Sequence, residues 1–173
     1  MNLPPYHTFP IVSGDKILLR QVLSSDVPDI MDISFYDGIP ATTVAQAAEM
    51  LEKIDLNYQE GDSIHWGIAD KITDKIVGTC GYYRGLDKGE GELGCVLLPA
   101  FRGQGFMTAA LELAIEFGRN TIELHRIFAI TTLQNDKAIR LLERLDFVRK
   151  REMENDRLEY EWANITQHRG NGT

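Results

Sequence analysis

The sequence is poor in cysteine and contains no long apolar run. Its 173 residues include only Cys80 and Cys95, too few for a disulfide framework, and no spaced set of cysteines and histidines indicates a zinc site. No segment approaches the length of a membrane span, and residues 1–15 lack the apolar core of a signal peptide. We therefore expect a cytoplasmic protein with reduced thiols, no metal and no membrane partner.

Positive charge is also scarce. The chain carries 26 acidic and 18 basic residues, a formal net charge of −8. A nucleic-acid-binding domain normally presents a basic face, so we expect no nucleic-acid partner. The short basic cluster at residues 149–151 is better explained as a solvated strand edge.

Apolar residues make up 43% of the chain, enough for the core of one domain. We expect residues 1–173 to form that single domain, with a loosely structured arm over residues 1–15 and a frayed tail over residues 163–173. The spacing of the apolar residues indicates a mixed α/β sheet covered by helices. The predicted strands are 16–22, 64–68, 76–83, 92–98, 126–133, 147–151 and 157–162, and the predicted helices are 27–35, 44–58, 107–122 and 136–145.

The clearest ligand signal is the turn Arg102-Gly103-Gln104-Gly105, between a predicted strand and a predicted helix. The first N–H groups of a helix have no partner within it, and the helix dipole adds positive charge there. The two glycines let an anion approach the backbone, and Arg102 adds a cation. The pattern predicts a phosphate or pyrophosphate site, with a plain tight turn as the alternative. It is neither a Walker loop nor a dinucleotide fingerprint, because the residues that define those motifs are missing.

Four segments, in the right order along nearly the whole chain, resemble the GNAT acetyltransferases and in particular their RimJ/RimL-like branch. Residues 102–107 resemble the family's Arg/Gln-x-x-Gly-x-Gly/Ala motif, although Met107 departs from its last position. Residues 135–147 resemble Asn-x-x-Ser/Ala followed by Leu-Tyr and Gly-Phe, and Glu92-Leu93-Gly94 resembles the Glu-x-Gly of the branch. Residues 17–20, which read Ile-Leu-Leu-Arg, and Asp26 resemble the opening leucine-arginine and Asp of the branch. The resemblance implies a central, mostly antiparallel sheet with two splayed strands, flanked by about four helices.

The resemblance also implies acetyl-CoA as co-substrate. It assigns the pantetheine wall to Val96, Leu97 and Leu98, and the pyrophosphate to Arg102, Gly103, Gln104, Gly105, Phe106 and Met107. Asn135 would reach the pantetheine from the opposite side, and a plain helix cap explains it equally well.

The implied reaction is direct attack of a primary amine on the thioester, with a backbone N–H near Val96 facing the oxyanion. Glu92 is the candidate catalytic base, and a solvated strand-end carboxylate is the equal alternative. The usual tyrosine and serine acids of the family are replaced by Leu142 and Ala138. A GNAT-fold module that binds acyl-CoA without turnover is therefore the second hypothesis.

The acceptor implied by the resemblance is either a protein N-terminus or a small amine. A homodimer is compatible with this branch, with either the last strands or the 157–162 edge as the contact. Among other candidates, we expect Trp66 and Cys95 to be core residues, whereas His65 and one of Tyr82 and Tyr83 can face a cleft.

Overall fold

One large sheet and one small hairpin form the β-structure of the computed structural model, which describes residues 1–163. The strands are β1 (Val12–Ser13), β2 (Ile17–Arg20), β3 (Phe35–Tyr36), β4 (Ile39–Pro40), β5 (Ile64–Asp70), β6 (Ile76–Tyr82), β7 (Glu90–Leu97), β8 (Arg126–Thr132), β9 (Phe147–Met153) and β10 (Arg157–Trp162). The α-helices are α1 (Val27–Ile30), α2 (Val44–Glu60), α3 (Phe106–Phe117) and α4 (Asp136–Arg144). The large sheet has the order β1-β2-β5-β6-β7-β8-β10-β9, and β3 pairs with β4 separately.

The pairing of the sheet is antiparallel except between β7 and β8. This parallel pair is short, because it joins only Glu90–Glu92 to Arg126–Phe128. Beyond it, β7 pairs with β6 and β8 pairs with β10, so the two strands separate. The mixed α/β class, the mostly antiparallel sheet with splayed strands and the four flanking helices are thereby confirmed.

The two faces of the sheet are covered by different helices. Helix α3 covers the face that carries Trp66 and Tyr82, both fully buried, and the Tyr82 hydroxyl donates to the Ala114 carbonyl at 2.8 Å. Helices α1 and α2 cover the opposite face. Helix α2 begins as predicted, where the Thr43 hydroxyl oxygen accepts the Gln46 N–H at 3.1 Å.

The first predicted helix, 27–35, is wrong in extent. Helix α1 spans four residues between 3₁₀ turns at Ser24–Asp26 and Met31–Ile33, and the hairpin β3–β4 follows. Asp26, an expected cap of this helix, binds Arg20 instead through two nitrogen–oxygen contacts of 2.8 and 3.1 Å. The same carboxylate accepts the Leu23 N–H at 2.8 Å, so it caps the preceding 3₁₀ turn and makes no side-chain cap on α1.

Two further differences concern the ends of elements. The predicted arm over residues 1–15 contains β1. The helix predicted to run to residue 122 leaves α-geometry at Gly118 and continues as a π-helix, Gly118–Ile122. A Cβ at Gly118 would stand 2.2 Å from the Tyr82 hydroxyl oxygen, so this backbone approaches the sheet too closely for a side chain.

The last two strands pair as predicted, but β10 lies between β8 and β9. The 157–162 segment is therefore not a free edge, and β9 is the strand at that side of the sheet. All but the first residue of the predicted tail, 163–173, lies outside the described part of the chain. No helix within residues 1–163 is long and apolar enough to cross a bilayer.

Candidate active site

The hydrogen-bond register decides which backbone groups of β7 face the gap toward β8. Leu98 donates its N–H to the Val77 carbonyl at 2.9 Å, and the Glu92 carbonyl accepts the Tyr83 N–H at 2.9 Å. Because these bonds alternate along an antiparallel pair, the even-numbered residues of β7 turn their backbone groups toward β6. The odd-numbered residues turn theirs toward β8.

Leu93, Cys95 and Leu97 lie beyond the last β7–β8 pair, and their backbone groups therefore face the gap. An extended ligand that carries amide groups can pair with such an edge as another strand would. Val96 turns its N–H toward Thr79 of β6, so the gap-facing N–H groups belong to its neighbours and not to Val96 itself. The gap thus offers backbone donors and acceptors to a pantetheine-like chain.

The glycine turn closes one end of this gap. Gly103 and Gly105 have φ of +72° and +83°, a left-handed conformation that favours glycine, and Gly105 is the N-cap of α3. The Arg102 side chain is exposed and forms no ion pair within residues 1–163. The Gln104 side chain donates to the Ala100 carbonyl at 2.9 Å and so holds the turn itself.

A cation that the sequence analysis missed lies at the same turn. Lys16, next to β2, donates its ammonium to the Gln104 carbonyl and lies 4.2 Å from the centroid of the Phe106 ring. With Arg102 and the first N–H groups of α3, it makes the turn electropositive. These groups fit a pyrophosphate. No local motif marks Lys16, because 88 residues separate it from Gln104.

Three other predicted residues have largely structural positions. The Phe106 side chain is 4% exposed and packs on Phe101, which leaves only its backbone for a ligand, and Met107 packs against the core. The Asn135 amide oxygen accepts the Ala138 N–H at 3.1 Å and caps α4.

The tyrosine position of the family is occupied by Leu142, which is 6% exposed and belongs to the core. Neither Leu142 nor Ala138 carries a group that can donate a proton. Helix α4 therefore offers no side-chain acid at the two positions where the family has one.

A cavity of about 830 Å³ lies on the face of the sheet covered by α1, α2 and the β3–β4 hairpin. Its lining includes Val96, so the cavity adjoins the wall of the gap. Its ionised side chains are mostly acidic: Asp37, Asp55, Asp62 and Asp87, with Arg84.

None of the four aspartates forms an ion pair within residues 1–163. Burial raises the pKa of Asp55, as expected for a half-buried carboxylate without a cation. Arg84 is already bound, since its Nε lies 2.9 Å from Glu92 Oε2. The cavity is therefore electronegative.

The predicted base, Glu92, is 15% exposed and paired with this arginine, which is 72% exposed. A pair with so exposed a partner is screened by water and weak. Cys95 stands opposite Cys80 in the register, and burial raises the pKa of Cys95 to about 12. Cys95 is thus a protonated thiol and a poor nucleophile.

The floor of the cavity is formed by side chains from adjacent strands. His65 of β5 and Tyr83, which follows β6, lie with their ring centroids 4.4 Å apart, and both line the cavity. Burial lowers the pKa of His65 to about 4, so its ring is neutral near pH 7. Burial, with smaller contributions from Cys95, Cys80 and Glu92, raises the pKa of Tyr83 far above its usual range. The alternation of side chains along β6 predicts that only one of Tyr82 and Tyr83 faces this cleft, and that residue is Tyr83.

Comparison with known proteins gives a family match over most of the chain. The family described as "Acetyltransferase (GNAT) domain" matches residues 16–148. The chain is similar to the uncharacterized N-acetyltransferase YoaA of Bacillus subtilis, with 28% identity over 80% of this chain and 83% of that protein. A shorter stretch, 32% of this chain, is 30% identical to the spermidine N(1)-acetyltransferase of Escherichia coli K12 and covers 30% of it.

The fold is shared with solved structures at low sequence identity. A GNAT-family acetyltransferase from Bacillus anthracis superposes with a TM-score of 0.74 at 16% identity. The match covers 88% of this chain and 97% of that chain.

Proposed function

We infer the ligands of this site from the premise that the chain belongs to the GNAT acetyltransferase family, as the match over residues 16–148 shows. GNAT acetyltransferases use acetyl-CoA as co-substrate and acetylate an amine. Our proposal is that this N-acetyltransferase acts on a small amine that carries at least one further positive charge. The observation that carries it is the electronegative cavity beside the splayed strands.

Acetyl-CoA supplies the activated acetyl group, and the chain's own groups hold it. The N–H groups at Gly103, Gly105 and the start of α3, together with Arg102, bind the pyrophosphate in this proposal. The strand edge at Val96, Leu97 and Leu98 forms the pantetheine wall, and the gap-facing backbone groups are those of Cys95 and Leu97. Asn135 remains a proposed contact from the α4 side, alongside its role as a cap.

The charge of the cavity suits a second ammonium group and not the reacting amine. A carboxylate stabilises the charged form of a neighbouring amine, whereas the attacking nitrogen must be neutral. We therefore assign the reacting amine to the part of the cavity lined by Val96 and His65. The His65 ring is neutral there and does not stabilise the charged form of the amine. Asp55, which is half-buried and forms no ion pair within residues 1–163, is the proposed anchor for the distal ammonium. The similarity of part of the chain to a spermidine acetyltransferase supports an acceptor of this kind.

Proton removal from the amine is assigned to Glu92. Its carboxylate is held by an exposed arginine in a weak pair, so it can accept a proton directly or through water. We assign stabilisation of the oxyanion that develops on the carbonyl oxygen to a gap-facing backbone N–H of β7. The first such N–H after Gly94 is that of Cys95.

Calorimetric titration with acetyl-CoA tests the first part of the proposal. We expect wild type to bind and Arg102→Ala to bind about tenfold or more weakly, since a charge-assisted contact to phosphate is lost. Glu112→Gln, an exposed charge change on α3 away from the turn, is the matched control and should bind as wild type does. Equal binding by wild type and Arg102→Ala would contradict the proposed site.

Thiol release with an amine panel tests the acceptor. We expect 1,4-diaminobutane and spermidine to exceed butylamine by about tenfold or more in kcat/KM, and Asp55→Asn to remove most of this preference. A faster reaction with a peptide N-terminus than with any diamine would refute the small-amine proposal. Acetyl-CoA binding without thiol release for any amine would instead support the second candidate, an acyl-CoA-binding module, which the aliphatic residues at positions 138 and 142 favour.

A further inference from the structure

Tyr83 stands over the point where β7 leaves β8. It lies opposite Glu92, the last residue of β7 that pairs with β8, and its ring reaches forward over Gly94. A Cβ built on Gly94 would lie 1.8 Å from Cε2 of this ring and 2.7 Å from Cζ, which bears the hydroxyl. The ring edge therefore occupies the space that any side chain at position 94 would need.

Glycines on two neighbouring strands leave room for the Tyr83 ring above the sheet. Gly81 of β6 pairs with Gly94 of β7 and with His65 of β5, so one row across the sheet carries two residues without side chains. The ring of Tyr83 lies over this row and contacts His65 at its end. The phenol is thus held at the apex of the gap, where the thioester end of a bound pantetheine arm would lie.

The hydroxyl of Tyr83 is not engaged by the protein. It has no hydrogen-bond partner within residues 1–163, although Tyr83 lines the cavity. The titratable groups on its face of the sheet are His65 of β5 and Glu92 of β7, with Arg84 bound to Glu92, whereas Cys80 and Cys95 lie on the opposite face, packed toward α3. Burial keeps His65 neutral and Arg84 is bound to Glu92, so the Tyr83 phenol carries its proton near pH 7.

We propose that Tyr83 is the general acid of the reaction and takes the place of the acid that the α4 side of the gap lacks. The inference rests on the proposed function. The amine nitrogen forms a bond to the thioester carbonyl carbon, and the carbon–sulfur bond breaks. The departing thiolate takes the proton of the Tyr83 hydroxyl. The proton lost by the amine nitrogen passes through Glu92 or water and restores the phenol, so the products are the amide and the free thiol.

Tyr83→Phe tests this role, because it keeps the ring over Gly94 and removes only the hydroxyl. We expect kcat to fall by about 10²-fold or more, in the range of general acid catalysis, with the KM for acetyl-CoA unchanged. We also expect a new pH dependence. When solvent must supply the proton, kcat of the variant should fall as pH rises from 6 to 9, relative to wild type. Tyr6→Phe, whose hydroxyl binds the Asn2 carbonyl away from the site, is the matched control and should behave as wild type.

The outcomes separate this inference from the proposed function. If wild type releases thiol and Tyr83→Phe retains kcat within twofold from pH 6 to 9, Tyr83 is not the acid and the proposed function stands. If Tyr83→Phe loses acetyl-CoA binding in calorimetry together with turnover, the phenol has a binding role and the acid assignment is wrong. If wild type releases no thiol with any amine, both are overturned.

Discussion

The contact between Gly94 and Tyr83 can be tested through stability, independently of any ligand. Gly94→Ala would place a Cβ 1.8 Å from Cε2 of the Tyr83 ring. Since non-bonded carbons approach to about 3.5–4.0 Å, the ring or the strand must move by about 2 Å. Overpacking of this kind costs about 1–3 kcal/mol of the free energy of unfolding.

The expected effect reverses when the ring is removed. In a Tyr83→Ala background the added methyl group meets no ring, and alanine is about 0.5–1 kcal/mol more favourable than glycine inside a strand. Gly94→Ala should then be neutral or stabilising. The coupling free energy in the double-mutant cycle should therefore be about 2 kcal/mol or more.

Urea unfolding of the four proteins in this cycle is the assay. Gly81→Ala is the matched control, because its Cβ would lie 2.2 Å from the Ile64 carbonyl oxygen, a backbone atom that Tyr83→Ala does not remove. Its cost should be the same in both backgrounds. An equal destabilisation by Gly94→Ala with and without the Tyr83 ring would refute the placement of the phenol at the apex of the gap.

Three further predictions concern other parts of the site and its scaffold. Gly105→Ala places a side chain at φ +83°, so we expect a loss of about 1–2 kcal/mol in urea unfolding and weaker acetyl-CoA binding in calorimetry, and unchanged binding would contradict the role of the turn. Asp26→Asn should destabilise by about 2 kcal/mol at pH 7, because the pair with Arg20 is only 13–15% exposed. Burial by itself raises the pKa of Asp26, but the bonds from Arg20 and the Leu23 N–H lower that pKa overall. The contribution of Asp26 to the free energy of unfolding should therefore disappear as the pH falls below about 4, which unfolding curves at several pH values would show. His65 has a pKa of about 4 when folded and 6.5 as a free group, so wild type should lose up to about 3 kcal/mol between pH 6.5 and 4, and His65→Gln should remove most of that loss.

The cofactor half of the site was accessible to sequence analysis because its residues are close together in the chain. The turn at residues 102–107 is local, and its glycines mark it without any knowledge of the fold. Helix α2 was predicted for the same reason, since Thr43 and Gly61 mark its two ends. The extent of α1 was not, because the chain leaves α-geometry at Met31 and enters the β3–β4 hairpin, whose pairing no local motif marks.

The acceptor half could not be predicted in the same way. Asp37, Asp55 and Asp87 come from a hairpin, a helix and a loop, and only the packing of these elements around one cavity gives them a common role. Each alone resembles a solvated surface carboxylate. Lys16 likewise reaches the glycine turn only through the packing of β2 beside α3.

The sequence by itself determined the mixed α/β class, the order of most strands and helices, the GNAT resemblance and the glycine turn, because each depends on periodicity or on residues within a short segment. The tertiary structure alone decided that β7 and β8 separate after Glu92, that odd-numbered residues of β7 face the gap, and that Tyr83 lies over Gly94. These features follow from the pairing between strands, and a register shift of one residue would move the side chains of a strand to the other face of the sheet. Register is a property of the assembled sheet, which no single segment of the chain contains.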